Sequence, residues 1–385
     1  MFVSFGVLLT IGVFFGFITF LPFSWPTRAG LTAAAAIFAS RVAILRYVFG
    51  GVGGIEAPKG LLYATSFFQG AVALLFLFGL FRLVAMGLTA LLAFLPSPLG
   101  QFFELFKKGL GLPKVSLGLL VVALLASGVS LWQAAKVPVL KKSEVVINSW
   151  PKGLDGLTMA ILADAHISRF FDRPWVEEVV DLTMAQKPDL ILLPGDVVDG
   201  SVEQRAEDVA PLARLSAPYG VFAIVGNHEY YSGLMEWLPA FERLGFKTLY
   251  NSHALVFPFG VPLILAGVTD LTALDSRFNL PGPDLAKALE GAPKAPVVLM
   301  EHRPSRARQN AKDPRVTIQI SGHTHGGMLP GLKALVAKVN DGFVVGWYDV
   351  GDLKLFVHPG LGLWNGFPMR LFDPSEITIV TVRAA

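Results

Sequence analysis

The sequence predicts a transmembrane bundle of four helices followed by an α/β domain. The hydrophobic content reaches 53% of 385 residues, with a mean hydropathy of +0.56. Residues 1–142 carry 11 Lys and Arg against 2 Asp and Glu, whereas residues 143–385 carry 21 against 27. Strand patterns alternate with helical ones only in the second part. We therefore expect a transmembrane domain at 1–136, a linker or first edge strand at 137–152, and the α/β domain at 153–385.

Four apolar stretches have the length needed to cross a bilayer core of about 30 Å. They are residues 2–23, 31–50, 61–95 and 115–135. The first lacks a basic leader and a small-residue cleavage site, which indicates an uncleaved span. The second is interrupted by Arg41 and Arg46. The third is longer than one crossing needs, so it is either one tilted helix or a span followed by an interfacial piece.

Two arginines lie inside the apolar stretches and allow two interpretations. Arg41 and Arg82 either pair within the helices and extend toward the interface, or they bind a lipid phosphate.

The apolar stretches indicate a multi-pass membrane protein, which we expect in the cell (inner) membrane, and the charge pattern does not favour nucleic-acid binding. The basic excess of the first part fits helix ends near anionic headgroups. With four spans, five basic residues lie on the face of the α/β domain and four on the opposite face, which slightly favours a cytoplasmic domain. The sequence has no cysteine, so disulfides and thiolate ligands are excluded and the redox compartment stays open.

Five of the seven histidines come directly after an apolar strand pattern. They are His166, His228, His302, His323 and His325. Asp164, Asp196 and Asn227 occupy similar positions, and open α/β sheets place their ligands at the carboxyl ends of strands. A single strand-end histidine is usually a loop or core residue, but this set together predicts a metal cluster. Imidazole, carboxylate and amide ligands suit Mn²⁺, Fe or Zn²⁺, and the sequence does not choose among them.

The order of these residues resembles the five motifs of the calcineurin-like metallophosphoesterase superfamily. The motifs are Asp164-X-His166, Gly195-Asp196-X-X-Asp199, Gly226-Asn227-His228-Glu229, His302 and Gly322-His323-X-His325. The resemblance covers about residues 150–385 and is strongest to membrane-associated bacterial phosphoesterases with Gly-His-Thr-His-Gly-Gly. Their C-terminal signature is similar to Gly360-Leu-Gly362, Pro368-Met-Arg-Leu-Phe372 and Pro374-Ser-Glu-Ile377.

The resemblance implies a two-sheet αββα sandwich with two divalent metal ions at the strand ends. Asp164, His166 and His325 would hold one ion, Asn227, His302 and His323 the other, and Asp196 would bridge them. A hydroxide between the ions would attack phosphorus. His228 would stabilise or protonate the leaving oxygen, with Asp199 orienting it.

Two positions depart from the pattern of this family. Glu301 precedes His302 where many relatives carry a small or hydroxyl residue, and it either alters metal preference or points away. His358 stands where relatives often have arginine, and it either contacts phosphate or is a loop residue.

The expected activity is hydrolysis of a phosphodiester, phosphomonoester or pyrophosphate bond, with a phospholipid or lipid-linked substrate and a role in lipid metabolism. Phe170, Phe171 and Trp175 follow the first motif and form either an apolar substrate rim or part of the core; Trp364 and Phe367 are further rim candidates. Arg303 begins a basic run that is either a solvated face or a headgroup contact. The alternatives are a tethered phosphatase for soluble substrates and a membrane receptor or scaffold with a structural metal cluster.

Overall fold

The computed structural model describes residues 2–51, 53–329 and 331–385, which divide into two compact units. The first unit contains the residues up to Gly50 together with Glu56–Trp132. The second contains Gly51–Ile55 and Gln133–Ala385.

The main secondary-structure elements of the N-terminal part are α-helices. Its described helices are α1 Phe2–Gly16, α2 Trp25–Ala39, α3 Arg41–Phe49, α4 Lys59–Leu92, α5 Leu99–Leu110 and α6 Pro113–Ala135. Only α4, with 34 residues, and α6, with 23, are long and apolar enough by themselves to cross a membrane in the described part of the chain.

The expected four-span bundle is not confirmed. α1 has 15 residues, which is short for a crossing of about 20 residues. The second predicted span is broken into α2 and α3, whose axes are bent by 64°. If this bent pair is one span, the described residues contain three. The long third stretch is a single helix, α4, which agrees with the first of its two interpretations.

Both arginines of the apolar stretches have partners within the helical unit. Arg41 donates to Thr65 Oγ1 at 2.8 Å and to Gln69 Oε1 at 3.3 Å. Arg82 donates to the Leu110 carbonyl at 2.9 Å and to Ser116 Oγ at 2.7 Å. These contacts satisfy the guanidinium groups internally and favour the pairing interpretation.

The second unit alternates strands and helices. Its strands are β1 Val139–Ile147, β2 Leu157–Ile161, β3 Leu190–Pro194, β4 Val221–Ile224, β5 Lys247–Thr248, β6 Ser252–Val256, β7 Leu263–Gly267, β8 Val297–Met300, β9 Val316–Ser321, β10 Gly346–Val350, β11 Leu353–Val357 and β12 Glu376–Ala384. Its helices are α7 Arg173–Met184, α8 Val202–Val209, α9 Asn227–Ser232, α10 Leu234–Arg243, α11 Leu285–Ala288, α12 Ala307–Asn310 and α13 Lys333–Val339.

The strands form two mixed sheets of six. The first has the order β1-β12-β2-β3-β4-β5, and the second has the order β10-β11-β9-β8-β7-β6. β2 to β5 run parallel, as do β7, β8, β9 and β11. β1 occupies part of the region predicted as a linker or edge strand, and it pairs in parallel with β12.

The two sheets pack against each other through one apolar core. Leu192 and Phe222 of the first sheet belong to the same buried cluster as Met300 and Ile320 of the second. Residues on the other faces, such as Ile191 of the first sheet, are buried as well. Sheets covered on both faces have continuously apolar strands, which explains why the sequence shows runs rather than alternation. The parallel strands therefore bring their carboxyl ends to one edge.

Candidate functional site

The predicted metal-site residues follow the carboxyl ends of five parallel strands; most lie in loops, and Asn227 and His228 begin α9. Asp164 and His166 follow β2, and Asp196 follows β3; the remaining ones follow β4, β8 and β9. His166 and His302 are fully buried, as is Asp164. Chain segments far apart in sequence thus place polar groups in one buried pocket.

Five of these residues have a left-handed backbone. The φ angles are 53° at Asp164, 48° at His166, 52° at Asp196, 70° at His323 and 48° at His325. Residues with a Cβ rarely adopt this conformation, and it costs of order 1–3 kcal/mol at each position. The concentration of such residues here indicates that the loops are shaped to direct side chains toward a common point.

Three overlapping groups of side chains have ligand atoms within 4.8 Å of one another. They are Asp164–His166–His325, His166–Asp196–His228 and Asp196–His302–His323. His166 Nε2 lies 3.2 Å from His325 Nε2, and His302 Nε2 lies 3.2 Å from Asp196 Oδ2. The structure therefore brings six of the seven predicted ligands into groups that could hold a cation, and Asn227 lines the same cavity.

The chemistry of these groups fits divalent cations. Burial lowers the pKa of His323 to about 3 and that of His325 well below its usual value, so both imidazoles are neutral with available lone pairs. Burial alone would raise the pKa of Asp196, but the charges of His302 and His228 lower it well below its usual value. Asn227 Oδ1 is buried without a hydrogen-bond partner among the described residues. Neutral imidazoles, an ionised carboxylate and an unsatisfied amide oxygen suit metal binding.

Backbone contacts orient two of the candidate ligands. His302 Nδ1 lies 3.0 Å from the Pro194 carbonyl, an arrangement in which Nδ1 donates and Nε2 stays available. The Asp164 carboxylate accepts from the backbone N–H of His323 at 2.9 Å. Such supporting contacts fix the tautomer of a ligand and its direction.

Asp199 connects the metal candidates with His228. Its Oδ1 lies 2.5 Å from His228 Nδ1 and 3.3 Å from His166 Nδ1. Burial alone would lower the pKa of His228, but the carboxylates of Asp199 and Asp196 raise it to about 9. His228 is therefore protonated at neutral pH and presents Nε2 away from Asp199.

Glu229 holds the loops together. It is fully buried, and its carboxylate accepts hydrogen bonds from the backbone N–H groups of Asp196, Val197, Val198 and Gly226 at 2.7–3.2 Å. These contacts join the loop after β3 to the loop after β4. Glu229 thus has a structural position rather than that of a solvated loop charge.

The site opens into a cavity of about 200 Å³ whose lining is partly polar and partly apolar. The polar residues are Asp196, Asn227, His228, His323 and His325. The apolar residues, which we call the apolar wall, are Met328, Leu363, Trp364 and Phe367. A phosphate group fits the polar residues while its ester group contacts the wall.

The residues expected to form a substrate rim are mostly elsewhere. Phe170 and Phe171 are buried to 1% and 0% exposure, and Trp175 is buried against Phe171. The rim interpretation is therefore wrong for these three side chains, which pack in the interior. Arg303 is held by Asp270 at 2.8 Å and Thr272 at 3.0 Å and does not line the cavity. Among the suggested aromatic residues, those that reach the cavity are Trp364 and Phe367.

The two departures from the family pattern are both buried. Glu301 pairs with Arg306 at 3.2 Å and bonds to the Asn310 side chain, outside the three cation-binding groups. His358 accepts from the backbone N–H of Gly360 at 2.9 Å. Both contacts favour the interpretations in which these residues point away or stabilise a loop.

Sequence reasoning missed Met328, Leu363 and a short segment between α3 and α4. Met328 directly follows Gly-His-Thr-His-Gly-Gly, and Leu363 directly follows the Gly360-Leu-Gly362 turn, so adjacency to a motif was the available signal. A Cβ added to Gly54 would lie 3.3 Å from the Asp199 carbonyl oxygen. Nothing in the apolar context of Gly54 indicates that contact.

Comparisons with known proteins agree with the geometry. The calcineurin-like phosphoesterase model matches residues 157–327. A transmembrane protein with metallophosphoesterase domain from Danio rerio is 33% identical over 276 residues, covering 70% of this chain and 62% of that protein. A Campylobacter jejuni metallophosphoesterase is 32% identical over 271 residues, covering 69% of each. One from Aquifex aeolicus is 30% identical over 245 residues, covering 63% of this chain and 91% of that protein.

The lengths of the matched regions differ among these relatives. The chain spans 62% of the length of the Danio rerio relative and 62% of a Bos taurus relative that carries the same description. It spans 91% of the Aquifex aeolicus protein.

Proposed function

This chain belongs to the calcineurin-like phosphoesterase family, and from that premise we propose that it is a membrane-anchored, metal-dependent phosphoester hydrolase. The observation that carries the proposal is the position of Asp196, whose Oδ2 lies 3.8 Å from His166 Nε2 and 3.2 Å from His302 Nε2, beside a histidine paired with a buried carboxylate. A cation site that is only structural does not require a histidine–carboxylate pair such as His228 and Asp199.

The residues divide into two ligand sets. Asp164, His166 and His325 would hold one divalent cation. Asn227, His302 and His323 would hold a second, and Asp196 lies between the two sets, with Oδ2 3.8 Å from His166 Nε2 and 3.2 Å from His302 Nε2. When bound, such a pair of cations would supply an activated water and neutralise charge on the phosphoryl group.

The chain itself supplies the proton for the leaving group. His228 is protonated because Asp199 and Asp196 raise its pKa to about 9. Its Nδ1 is engaged by Asp199 Oδ1, so Nε2 is the atom that donates to the leaving oxygen. Asp199 acts as a positioning residue, because it holds both His228 and His166.

The substrate we propose is a phospholipid or a lipid-linked phosphate. Two helices with the length and hydropathy of membrane spans support a membrane-borne substrate, as does the description of the Danio rerio relative as a transmembrane protein. The bond cleaved is a phosphodiester, a phosphomonoester or a pyrophosphate. We further propose an inner-membrane location with the α/β unit on the cytoplasmic face.

A tethered phosphatase for soluble substrates is the second candidate. The apolar wall of the cavity favours the lipid substrate over this alternative. A receptor or scaffold with a structural cation cluster is the third candidate, and the His228–Asp199 pair argues against it.

The test compares purified His228→Ala and Asp196→Asn variants on bis(p-nitrophenyl) phosphate with Mn²⁺. We expect His228→Ala to lower kcat on dibutyl phosphate, assayed alongside, by about 10²–10⁴-fold with cation content retained. The loss on bis(p-nitrophenyl) phosphate should be smaller, because nitrophenolate departs without a proton. Asp196→Asn should lose both activity and cations, since one neutral oxygen replaces a shared carboxylate. Cation content is measured on the same samples by elemental analysis, after chelation and reloading with Mn²⁺, Fe²⁺ or Zn²⁺.

The matched control is His253→Ala. His253 lies outside the site and its Nδ1 contacts the Ala288 carbonyl at 2.7 Å. It should leave both activity and cation content unchanged. Full activity in His228→Ala would contradict the role proposed for His228. Cation retention without any hydrolysis by the unmodified protein would contradict the hydrolase and support the scaffold.

A further inference from the structure

We infer that the apolar wall selects esters whose leaving alcohol is apolar, so that an alkyl or isoprenoid carbon is bonded directly to the departing oxygen. This inference rests on the proposed function and specifies the side of the phosphate on which the apolar group lies. It narrows the proposed substrates to lipid-linked phosphates of this kind. Glycerophospholipids are excluded, because their ester oxygens are bonded to glycerol or to a polar headgroup alcohol, and so are sugar and nucleoside esters.

The Trp364 indole lies beside the imidazole of His228. Their ring centroids are 6.3 Å apart, with an interplanar angle of 60°. His228 Nδ1 is taken by Asp199, so the proton donor is Nε2. Of the two aromatic rings beside this imidazole, Tyr231 at 5.6 Å and Trp364, only Trp364 lines the cavity, so we infer that the group attached to the departing oxygen contacts the indole.

Gly366 and Arg370 hold the loop and the Trp364 indole in this position. A Cβ added to Gly366 would lie 2.1 Å from Trp364 Cζ2 and 2.2 Å from Cη2. The ring therefore lies directly over the glycine backbone. Arg370 donates to the Gly362 carbonyl at 3.3 Å and supports the same loop. A wall with a fixed position can discriminate between ligands, because it cannot turn away from a poorly fitting group.

The apolar wall offers few hydrogen-bonding groups to a ligand. Met328, Leu363 and Phe367 have no hydrogen-bonding side-chain group of use to a hydroxyl, and the Trp364 indole offers one N–H. Hydroxyls of a glycerol or sugar placed there would lose water without gaining partners. Sites of this type reject polyols and accept hydrocarbon.

The cavity is small. A cavity of about 200 Å³ is smaller than the pockets of roughly 300–1,000 Å³ that enclose a drug-sized ligand. That is room for a phosphate and a few carbons, so the cavity senses the part of the alcohol nearest the ester oxygen. The rest of a long chain lies outside it.

The reaction balances as a simple hydrolysis. A water oxygen forms a bond to phosphorus, and the bond between phosphorus and the ester oxygen breaks. His228 Nε2 gives its proton to the departing oxygen. The attacking water releases one proton to solvent, and His228 takes one back from solvent, so the protons balance. The products are the apolar alcohol and the phosphate, or a phosphomonoester if the substrate is a diester.

The experiment measures alcohol release by mass spectrometry from ethyl, butyl and hexyl phosphates and from glycerol 3-phosphate, with the corresponding symmetric diesters assayed in parallel. The simple alkyl alcohols differ little in acidity, so chain length reports contact rather than intrinsic reactivity. In the Mn²⁺-loaded protein we expect kcat/KM to rise about threefold for each methylene within the cavity. The glycerol ester should be at least about tenfold poorer than the butyl ester.

Trp364→Ala and Phe367→Ala should both flatten this dependence on chain length. Two variants are used so that the result does not depend on the folding of one, and cation content confirms an intact site. Phe372→Ala is the aromatic control, because Phe372 is 79% exposed and does not line the cavity. It should keep the dependence of the unmodified protein.

Two failures can be told apart. If bis(p-nitrophenyl) phosphate and the alkyl esters are hydrolysed but chain length has no effect, or the effect survives in both variants, the inference about the wall is overturned and the hydrolase stands. If the metal-loaded protein hydrolyses none of these esters, the proposed function falls and the inference falls with it.

Discussion

Two glycines determine how closely the loops of the site approach each other. A Cβ added to Gly322 would lie 2.3 Å from Asp164 Oδ2, and one added to Gly226 would lie 2.2 Å from Asp196 Oδ1. Both distances are far below van der Waals contact. The two carboxylates can therefore occupy their positions only because these residues have no side chain.

We predict that Gly322→Ala lowers cation affinity by about 10–100-fold, because the Asp164 carboxylate must move away from the added methyl group. The protein should still fold, since the nearest atom is a side-chain oxygen rather than backbone. Titration of the metal-free protein with Mn²⁺ measures the affinity. Activity at saturating Mn²⁺ should recover in part.

Gly118→Ala is the matched control for this substitution. A Cβ at Gly118 in α6 meets no atom within 4 Å. Its Mn²⁺ affinity should equal that of the unmodified protein. An unchanged affinity in Gly322→Ala would mean that the Asp164 carboxylate is not a ligand in this geometry.

Individual site residues were predictable where a motif constrains them and not where packing decides. The order of Asp164, His166, Asp196 and His228 along the chain is enough to expect one pocket, because parallel strands end at a common edge. The role of Phe171 was not predictable in the same way. An aromatic residue after a motif can turn inward or outward, and only its neighbours in the fold determine which.

At the scale of elements, Arg370 joins three separate turns. Its guanidinium donates to the carbonyls of Pro359 at 2.9 Å, Asp373 at 3.1 Å, Gly362 at 3.3 Å and His325 at 3.5 Å. The side chain is fully buried. Burial lowers the pKa of Arg370 to about 10, which still leaves it charged at neutral pH. One side chain thus positions the turn that carries His325 and the turn that leads to the apolar wall.

We predict that Arg370→Met destabilises the α/β unit by about 2–4 kcal/mol, because buried carbonyls lose a charged donor. Arg370→Lys should be intermediate, since a single ammonium cannot reach acceptors in several directions. Thermal unfolding in detergent, followed by tryptophan fluorescence, measures the change. Cation affinity should fall along with stability, since His325 loses its support.

Arg173→Met is the control for loss of an arginine. Arg173 is 55% exposed at its side chain and pairs with Glu177 across one helical turn. Its removal should change stability by less than about 0.5 kcal/mol. Equal effects of the two substitutions would mean that Arg370 does not hold the turns together.

Elements of the α/β unit were predicted more closely than those of the helical unit. The strand patterns around Leu190 and Val221 correspond to β3 and β4, because a run bounded by Pro or Gly has few alternatives. The break between α2 and α3 was not predicted. The residue at the break is Ser40 and not Gly or Pro, so the apolar pattern gives no sign that a helix ends there. The bend depends on packing, including the contacts that bury Arg41.

At the scale of the whole molecule, charge and hydropathy separate the chain at nearly the same place as compactness does. The sign of the net charge changes near residue 142, and the main part of the second unit begins at Gln133. Composition therefore predicted that two units exist. It did not predict that Gly51–Ile55 would belong to the second, since five residues carry too little compositional signal.

The number of spans makes a prediction about sidedness. If α4 and α6 each cross the bilayer, the start of α4 and the start of α6 lie on opposite faces. The described chain after α6 contains no further candidate span. The exposed residues Lys59, Lys114 and Lys294 therefore test the arrangement, and the absence of native cysteine means that a single introduced thiol reports one position.

We predict that Lys114→Cys reacts with a membrane-impermeant maleimide in intact bacterial cells, whereas Lys59→Cys and Lys294→Cys react only after permeabilisation. Opposite labelling is expected because α4 and α6 each cross the bilayer. This orientation is expected because basic residues are slightly more numerous on the side of the α/β unit. The unmodified protein, which has no thiol, should not react in either condition. Labelling of all three positions in intact cells would contradict the crossings, while the reverse pattern would keep them and place the hydrolase on the outer face.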